Sequence, residues 1–234
     1  VTLRKDGGLW VSWSGGREAH VCPFGQVHAM TSTDKGESWT WPRVLHDSAI
    51  DDRDSGCIET AKGALLVTTF SSLAYEPYLE KQLHFDELSA AKGWKTAPMK
   101  PEQLARWKAA HPRLGEADRK AELGEWLLRS TDGGRSWSPR IKTLVNSPHG
   151  PVQLADRRLL YAGKQLWTAD KRIGACESRD DGQSWQWLAE ISAREGDDTS
   201  QYHELHAVEA ADGTLVAQIR NHNKANAGWT LQTE

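Results

Sequence analysis

Short runs of alternating apolar and polar residues, each broken by a Gly- or Asp-containing turn, recur along the whole chain. A period of two predicts half-buried strands, and the turns between them predict hairpins. Four stretches share the form strand, tight turn, strand: "VTLRKDGGLWVSW", "CIETAKGALLVTTF", "PVQLADRRLLYAG" and "AVEAADGTLVAQI". Their expected turn positions, Gly8, Gly63, Arg157 and Gly213, lie 55, 94 and 56 residues apart, so the second repeat carries an insertion.

Between these hairpins an octet is written three times: "STDKGESW" at 32–39, "STDGGRSW" at 130–137 and "SRDDGQSW" at 178–185. Asp-x-Gly supplies a side chain that bonds its own backbone and a residue tolerant of positive φ, and short apolar stretches flank each copy, so each octet predicts a second hairpin. Every repeat then holds four short antiparallel strands. Repeats of this length and content predict the blades of a β-propeller, an all-β fold. The final "GWTLQTE" stands where the third strand of a fourth blade belongs, giving three blades and most of a fourth. An arc of that length exposes strand edges and apolar faces, so either a second chain or further chain is expected to cover them.

The insertion, roughly Ala74–Glu125, has a helical pattern. "KPEQLARWKAAHP" predicts a helix with Pro101 in its first turn, Pro112 just past its end, and Leu104 and Trp107 on one face. "GEADRKAELGEW" is a second helical candidate. The insertion is either a decoration packed on the propeller or a lid lending Trp94, Trp107 or Tyr78 to a pocket.

Composition narrows function more by exclusion than by assertion. With 29 basic and 32 acidic residues the net charge is −3, which gives no basic field for nucleic acid or an anionic membrane. No apolar run approaches the roughly 20 residues of a membrane span. The opening "VTLRKDGG" has neither the pattern of a signal peptide nor a natural start, and Val1 is expected to be a cut or processed end. Cys22, Cys57 and Cys176 follow no zinc or redox spacing and are expected to be free thiols. Twelve tryptophans stand against three phenylalanines, and Trp39, Trp41, Trp137 and Trp185 belong to or follow the octets, so much of the tryptophan is scaffold.

The octet Ser-x-Asp-x-Gly-x-x-Trp, repeated on hairpins of four-stranded blades, resembles the Asp box (BNR repeat) of the sialidase (neuraminidase) superfamily of six-bladed propellers. The resemblance implies a fold first, because Asp boxes also occur on non-enzymatic propellers. It further implies a carboxylate held by three arginines, a nucleophilic tyrosine polarised by a glutamate, and an aspartate as acid and base. Guanidinium forks suit a sugar carboxylate, and a neutral tyrosine avoids a second anion beside it.

On this resemblance "HELHAVEAADGTLVAQIRNH" supplies Glu204 as the base of the tyrosine and Arg220 as one of the arginines; a plain surface ion pair is the other reading. Regular alternation sets Tyr202, Glu204, His206 and Val208 on one face and His203, Leu205 and Ala207 on the other. His203 and His206 would then face opposite ways, which argues against a metal. "DDRDSGCIET" supplies Asp54 to contact sugar hydroxyls, with Arg53 beside it, or else a loop whose charges neutralise one another. Arg17 in "SWSGGREAHVCPFGQVHAM" matches an arginine of the first blade. No aspartate lies between Arg17 and Thr31, so Glu18 or His20 would have to serve as the acid. The first arginine belongs before Val1, and the third arginine and the tyrosine belong after Glu234.

The resemblance therefore implies an exo-acting retaining glycoside hydrolase that releases terminal sialic acid or a related carboxylated sugar, working outside the cytoplasm without metal or organic cofactor. Two alternatives stay open: a lyase or hydrolase of uronic-acid glycans with a histidine base, and a non-catalytic propeller that binds glycan or protein.

Overall fold

The computed structural model describes residues 1–83 and 98–223, together with the backbone of 230–233. Its strands form four antiparallel sheets in chain order. The first holds β1 (Thr2–Leu3), β2 (Leu9–Gly15), β3 (Gln26–Ser32) and β4 (Arg43–His46). The second holds β5 (Asp51–Glu59), β6 (Leu65–Ser72), β7 (Gly124–Ser130) and β8 (Ile141–Lys142). The third holds β9 (Val152–Gln153), β10 (Leu159–Lys164), β11 (Ile173–Ser178) and β12 (Gln186–Glu190). In the fourth, β13 (Tyr202–Glu209), β14 (Leu215–Asn221) and β15 (Thr230–Thr233) are described.

The hairpin between the first two strands of each sheet is built the same way four times. The N–H of Gly7, Gly63, Arg157 and Gly213 donates to the carbonyl three residues back, at 2.8–3.0 Å. Each of these four residues has a positive φ, between +71° and +86°. The turn residue of the first sheet is thus Gly7 and not the expected Gly8, because the left-handed position follows Asp6 directly.

The three octets also repeat one bonding pattern. Ser32, Ser130 and Ser178 accept the N–H of Gly36, Gly134 and Gly182 at 2.8–2.9 Å, and the hydroxyls donate to Asp34, Asp132 and Asp180 at 2.7–2.8 Å. Each aspartate in turn accepts the N–H of the serine four residues on, at 2.8–2.9 Å. The bonds from Ser38 and Ser136 hold the Asp34 and Asp132 carboxyls below the usual carboxylate range.

Consecutive sheets are stapled through these octets. Trp137 of the second sheet packs on Trp10 of the first with ring centroids 5.6 Å apart, and Trp185 of the third packs on the cluster of Leu66 and Leu127 in the second. Arg43 donates to the Gly134 carbonyl at 2.8 Å, and Arg129 grips Asp181 through both its carbonyl and its carboxylate. The third and fourth sheets share the cluster of Leu160, Ala162 and Ile173 with Tyr202, Leu205 and Ile219.

Between β6 and β7 the chain forms α1 (Glu76–Leu83), α2 (Pro101–Ala110), a short 3-10 turn (His111–Arg113) and α3 (Glu116–Ala121). Trp107 is fully buried against Cys22, Ile50, Tyr75 and Leu79, and Leu104 packs on the same cluster. No helix among the described residues is long and apolar enough to cross a membrane. The three cysteines are free thiols.

Candidate functional site

β5 and β13 both contain a bulge. Pairing runs regularly to Arg53↔Phe70 and His203↔Arg220, then resumes one residue out of step at Gly56↔Thr68 and His206↔Gln218. Within the two bulges Asp54 and Glu204 have φ values of +48°. A bulge re-aims side chains, and here it breaks the expected alternation. Tyr202 lies in the core with Leu205 and Ala207 instead of sharing a face with Glu204. His203 and His206, paired with Arg220 and Gln218 on β14, share a face instead of opposing one another. Even so, no group of three or more metal-ligating side chains is gathered among the described residues.

The two bulges border a cleft of about 280 Å³, lined by Asp54 and Phe70 of the second sheet, Asn146, Pro148, Lys164 and Leu166 around the third, and His203, Glu204, Arg220 and His222 of the fourth. Six of these ten fall at matching places in the repeat. Asp54, Pro148 and Glu204 each stand nine residues before the positive-φ turn residue of their sheet, and Phe70, Lys164 and Arg220 each stand seven after it. The same two repeat positions of three successive sheets therefore build the cleft.

Arg220 forms an ion pair with Glu204, and its Nε donates to His222 Nε2 at 2.7 Å. A guanidinium can only donate, so His222 is neutral, with its proton on Nδ1. The His203 ring packs against His222 in a tilted pair with centroids 4.7 Å apart; burial, helped by Lys164, His222 and Arg220, pushes its pKa down to about 4. Lys164 Nζ donates to the carbonyls of Ser200 at 2.7 Å and Tyr202 at 3.2 Å, and burial lowers its pKa. Asp54 is raised, chiefly by burial and then by the charge of Glu204, with Arg53, Arg17 and His20 acting against the shift.

The remaining sequence candidates stand to one side of the cleft. Arg17 bonds Asp51 Oδ1 at 2.6 Å and the His20 carbonyl, and Asp51 is fully buried. Arg53 Nη2 lies 3.1 Å from His20 Nε2, while its guanidinium lies over the Phe70 ring. Glu18 is occupied by the insertion: it accepts Arg106 Nε at 2.7 Å and Trp107 Nε1 at 3.1 Å. Its expected availability as an acid is lost to that contact. Trp107 is interior and Tyr78 packs against it, so neither lines the cleft; Trp94 lies outside the described residues. None of the four tyrosines lines the cleft either. His203, one of the histidines the uronic-acid reading would use as a base, does line the cleft; Lys164 and His222 were not singled out from the sequence, although the repeat offset that joins Phe70 to Arg220 also marks Lys164.

No family model matches the sequence, and no curated protein does. Among solved structures the chain is similar to a protein of unknown function from Dyadobacter fermentans, with 17% identity and a TM-score of 0.64 over 100% of this chain and 66% of that one. It is similar also to a Hadza microbial sialidase, with 16% identity and a TM-score of 0.63 over 100% and 43% of the two chains. A variant of the NanB sialidase from Streptococcus pneumoniae gives 11% identity and a TM-score of 0.57 over 99% and 50%. The chain thus spans 43% to 66% of the lengths of these structures, and the likeness is one of fold.

Proposed function

We propose that the chain is part of a sialidase-like β-propeller, its octets serving as Asp boxes and its sheets as blades, in a glycoside hydrolase that removes a terminal acidic sugar from a glycan. The observation that carries the reading is the convergence on one cleft of Asp54 of the second sheet with Glu204 and Arg220 of the fourth, the two carboxyls at matching positions of their sheets. Arg220 offers the fork that a sugar carboxylate requires, and Lys164 adds a second cation to the same wall. Glu204 orients Arg220 from one side and His222 from the other, so the guanidinium is held before substrate arrives. Arg17 acts at one remove in this reading, by holding Asp51 beneath Arg53. The likeness in fold to sialidases supports the substrate class, and an acidic glycan as substrate in turn supports a place outside the cytoplasm.

The test is release of fluorophore from an aryl α-sialoside by the intact protein, wild type beside Glu204→Gln, across several pH values. Turnover by the wild type and a steep fall in the variant are expected. A neutral His203 facing the cleft favours a second reading, proton abstraction beside the carboxylate of a uronic-acid glycan. A product absorbing in the ultraviolet from a new double bond, with no sialoside cleaved, would select that reading.

A further inference from the structure

The hydrolase reading leaves the proton donor unassigned. The stretch between Arg17 and Thr31 holds no aspartate, and Glu18 is bound on both oxygens by Arg106 and Trp107. His20 cannot stand in through Nε2. That atom faces a guanidinium at 3.1 Å and must accept there, so it carries no proton to give. His222 is in the same position toward Arg220.

We propose that Asp54 is the proton donor of this site, delivering its carboxyl proton to the leaving oxygen of a glycoside seated between it and the Arg220–Glu204 pair. The inference rests on the hydrolase reading above. Asp54 and Glu204 are the only carboxyl groups lining the cleft among the described residues, and they come from equivalent bulges with Pro148 of the intervening sheet between them in the repeat. Their surroundings differ. Glu204 is ion-paired to Arg220, whereas Asp54 makes no hydrogen bond or ion pair with the described residues. Burial and the charge of Glu204 raise the pKa of Asp54, against the pull of Arg53, Arg17 and His20. Two carboxyls in one cleft whose environments push them apart define an acid and its counter-charge.

In the step, the bond from the anomeric carbon to the leaving oxygen breaks and its electron pair goes with that oxygen. The oxygen takes the Asp54 proton. Water forms the new bond at the anomeric carbon, and its surplus proton returns to the Asp54 carboxylate, so the net change is hydrolysis with the enzyme regenerated.

A proton donor matters in proportion to how poor the leaving group is. The test compares Asp54→Asn with wild type on two substrates, an α-sialoside of lactose, which leaves as an alkoxide, and 4-nitrophenyl α-sialoside, which leaves as a stabilised phenolate. The variant is expected to lose about 10²–10⁴-fold in kcat on the lactoside and less than about 10-fold on the aryl glycoside. The alkaline fall of the wild-type pH profile on the lactoside should be missing from the variant. Equal losses on both substrates, or a rise in KM with kcat unchanged, would make Asp54 a binding residue and overturn the proposal while leaving the hydrolase reading intact. A wild type that cleaves neither substrate would overturn both. Circular dichroism of Asp54→Asn guards against an unfolded variant, and Asp54→Gly, which suits the bulge, provides a second one.

Discussion

Asp54 and Glu204 occupy equivalent bulges in the first strands of two sheets, each with a φ of +48° and each nine residues before its hairpin turn residue. A non-glycine residue in the left-handed region costs about 1 kcal/mol or more, and such strain concentrates where side chains must be aimed. The bulge turns both carboxyls into the cleft while leaving Leu205 and Ala207 in the core.

Asp54→Gly relieves that strain without removing any bond to the described residues. Urea unfolding should find the variant unchanged or up to about 1 kcal/mol more stable, because the gain is partly offset by the extra freedom of glycine in the unfolded chain. Asp54→Val, β-branched at the same φ, should lose about 1–2 kcal/mol. The reverse order would mean that the bulge is not strained.

Arg220 carries three relationships at once: the Glu204 ion pair, the His222 bond and a place on the cleft wall. Arg220→Ala leaves Glu204 without this partner and should lower kcat/KM on an acidic glycoside by about two orders of magnitude. Arg220→Lys keeps the charge but lacks the fork, so it should fall between the two. Activity in Arg220→Ala equal to wild type would remove Arg220 from substrate binding.

Two octet glycines separate the cost of backbone strain from the cost of packing between sheets. Gly36 has a φ of +97° and its nearest neighbour to an added Cβ is Leu9 Cδ1 at 3.4 Å. Gly134 has a φ of +86°, but a Cβ there would lie 2.7 Å from the Trp10 ring of the preceding sheet. Gly36→Ala should therefore cost about 1 kcal/mol and Gly134→Ala about 2–4 kcal/mol in urea unfolding. Equal costs would show that the Trp10 contact yields freely.

How much of this was legible in the sequence follows from the range of each interaction. The octet and hairpin turns close through bonds three or four residues apart, so their chemistry is written locally, apart from the slip from Gly8 to Gly7. The inserted helix at Pro101–Ala110 was likewise readable from its prolines and from Leu104 and Trp107. A bulge adds one residue to the pairing without any change of composition, and plain alternation accordingly misassigned Tyr202 and the two histidines. Glu18 looked like a free acid because Arg106 and Trp107, which occupy it, lie 88 and 89 residues away.

Asp51 gives the protein a pH dependence whose sign is the reverse of an ordinary ion pair. Its carboxyl is fully buried, 2.6 Å from Arg17 and 4.0 Å from Arg53, and accepts the Cys22 N–H at 3.3 Å. Burial nevertheless outweighs the two arginines and raises its pKa from 3.8 to about 6. Between these values the folded chain holds a proton that the unfolded chain has released, so stability falls as pH rises through the window. The contribution is complete below the unfolded value and gone above about 6. Asp51→Asn has no proton to titrate there. Measured by urea unfolding at a series of pH values, the stability of wild type relative to this variant should therefore drop by about 2–3 kcal/mol between roughly pH 4 and pH 6.5. A flat difference would mean that Arg17 and Arg53 fully compensate the burial, and a rising one that they exceed it.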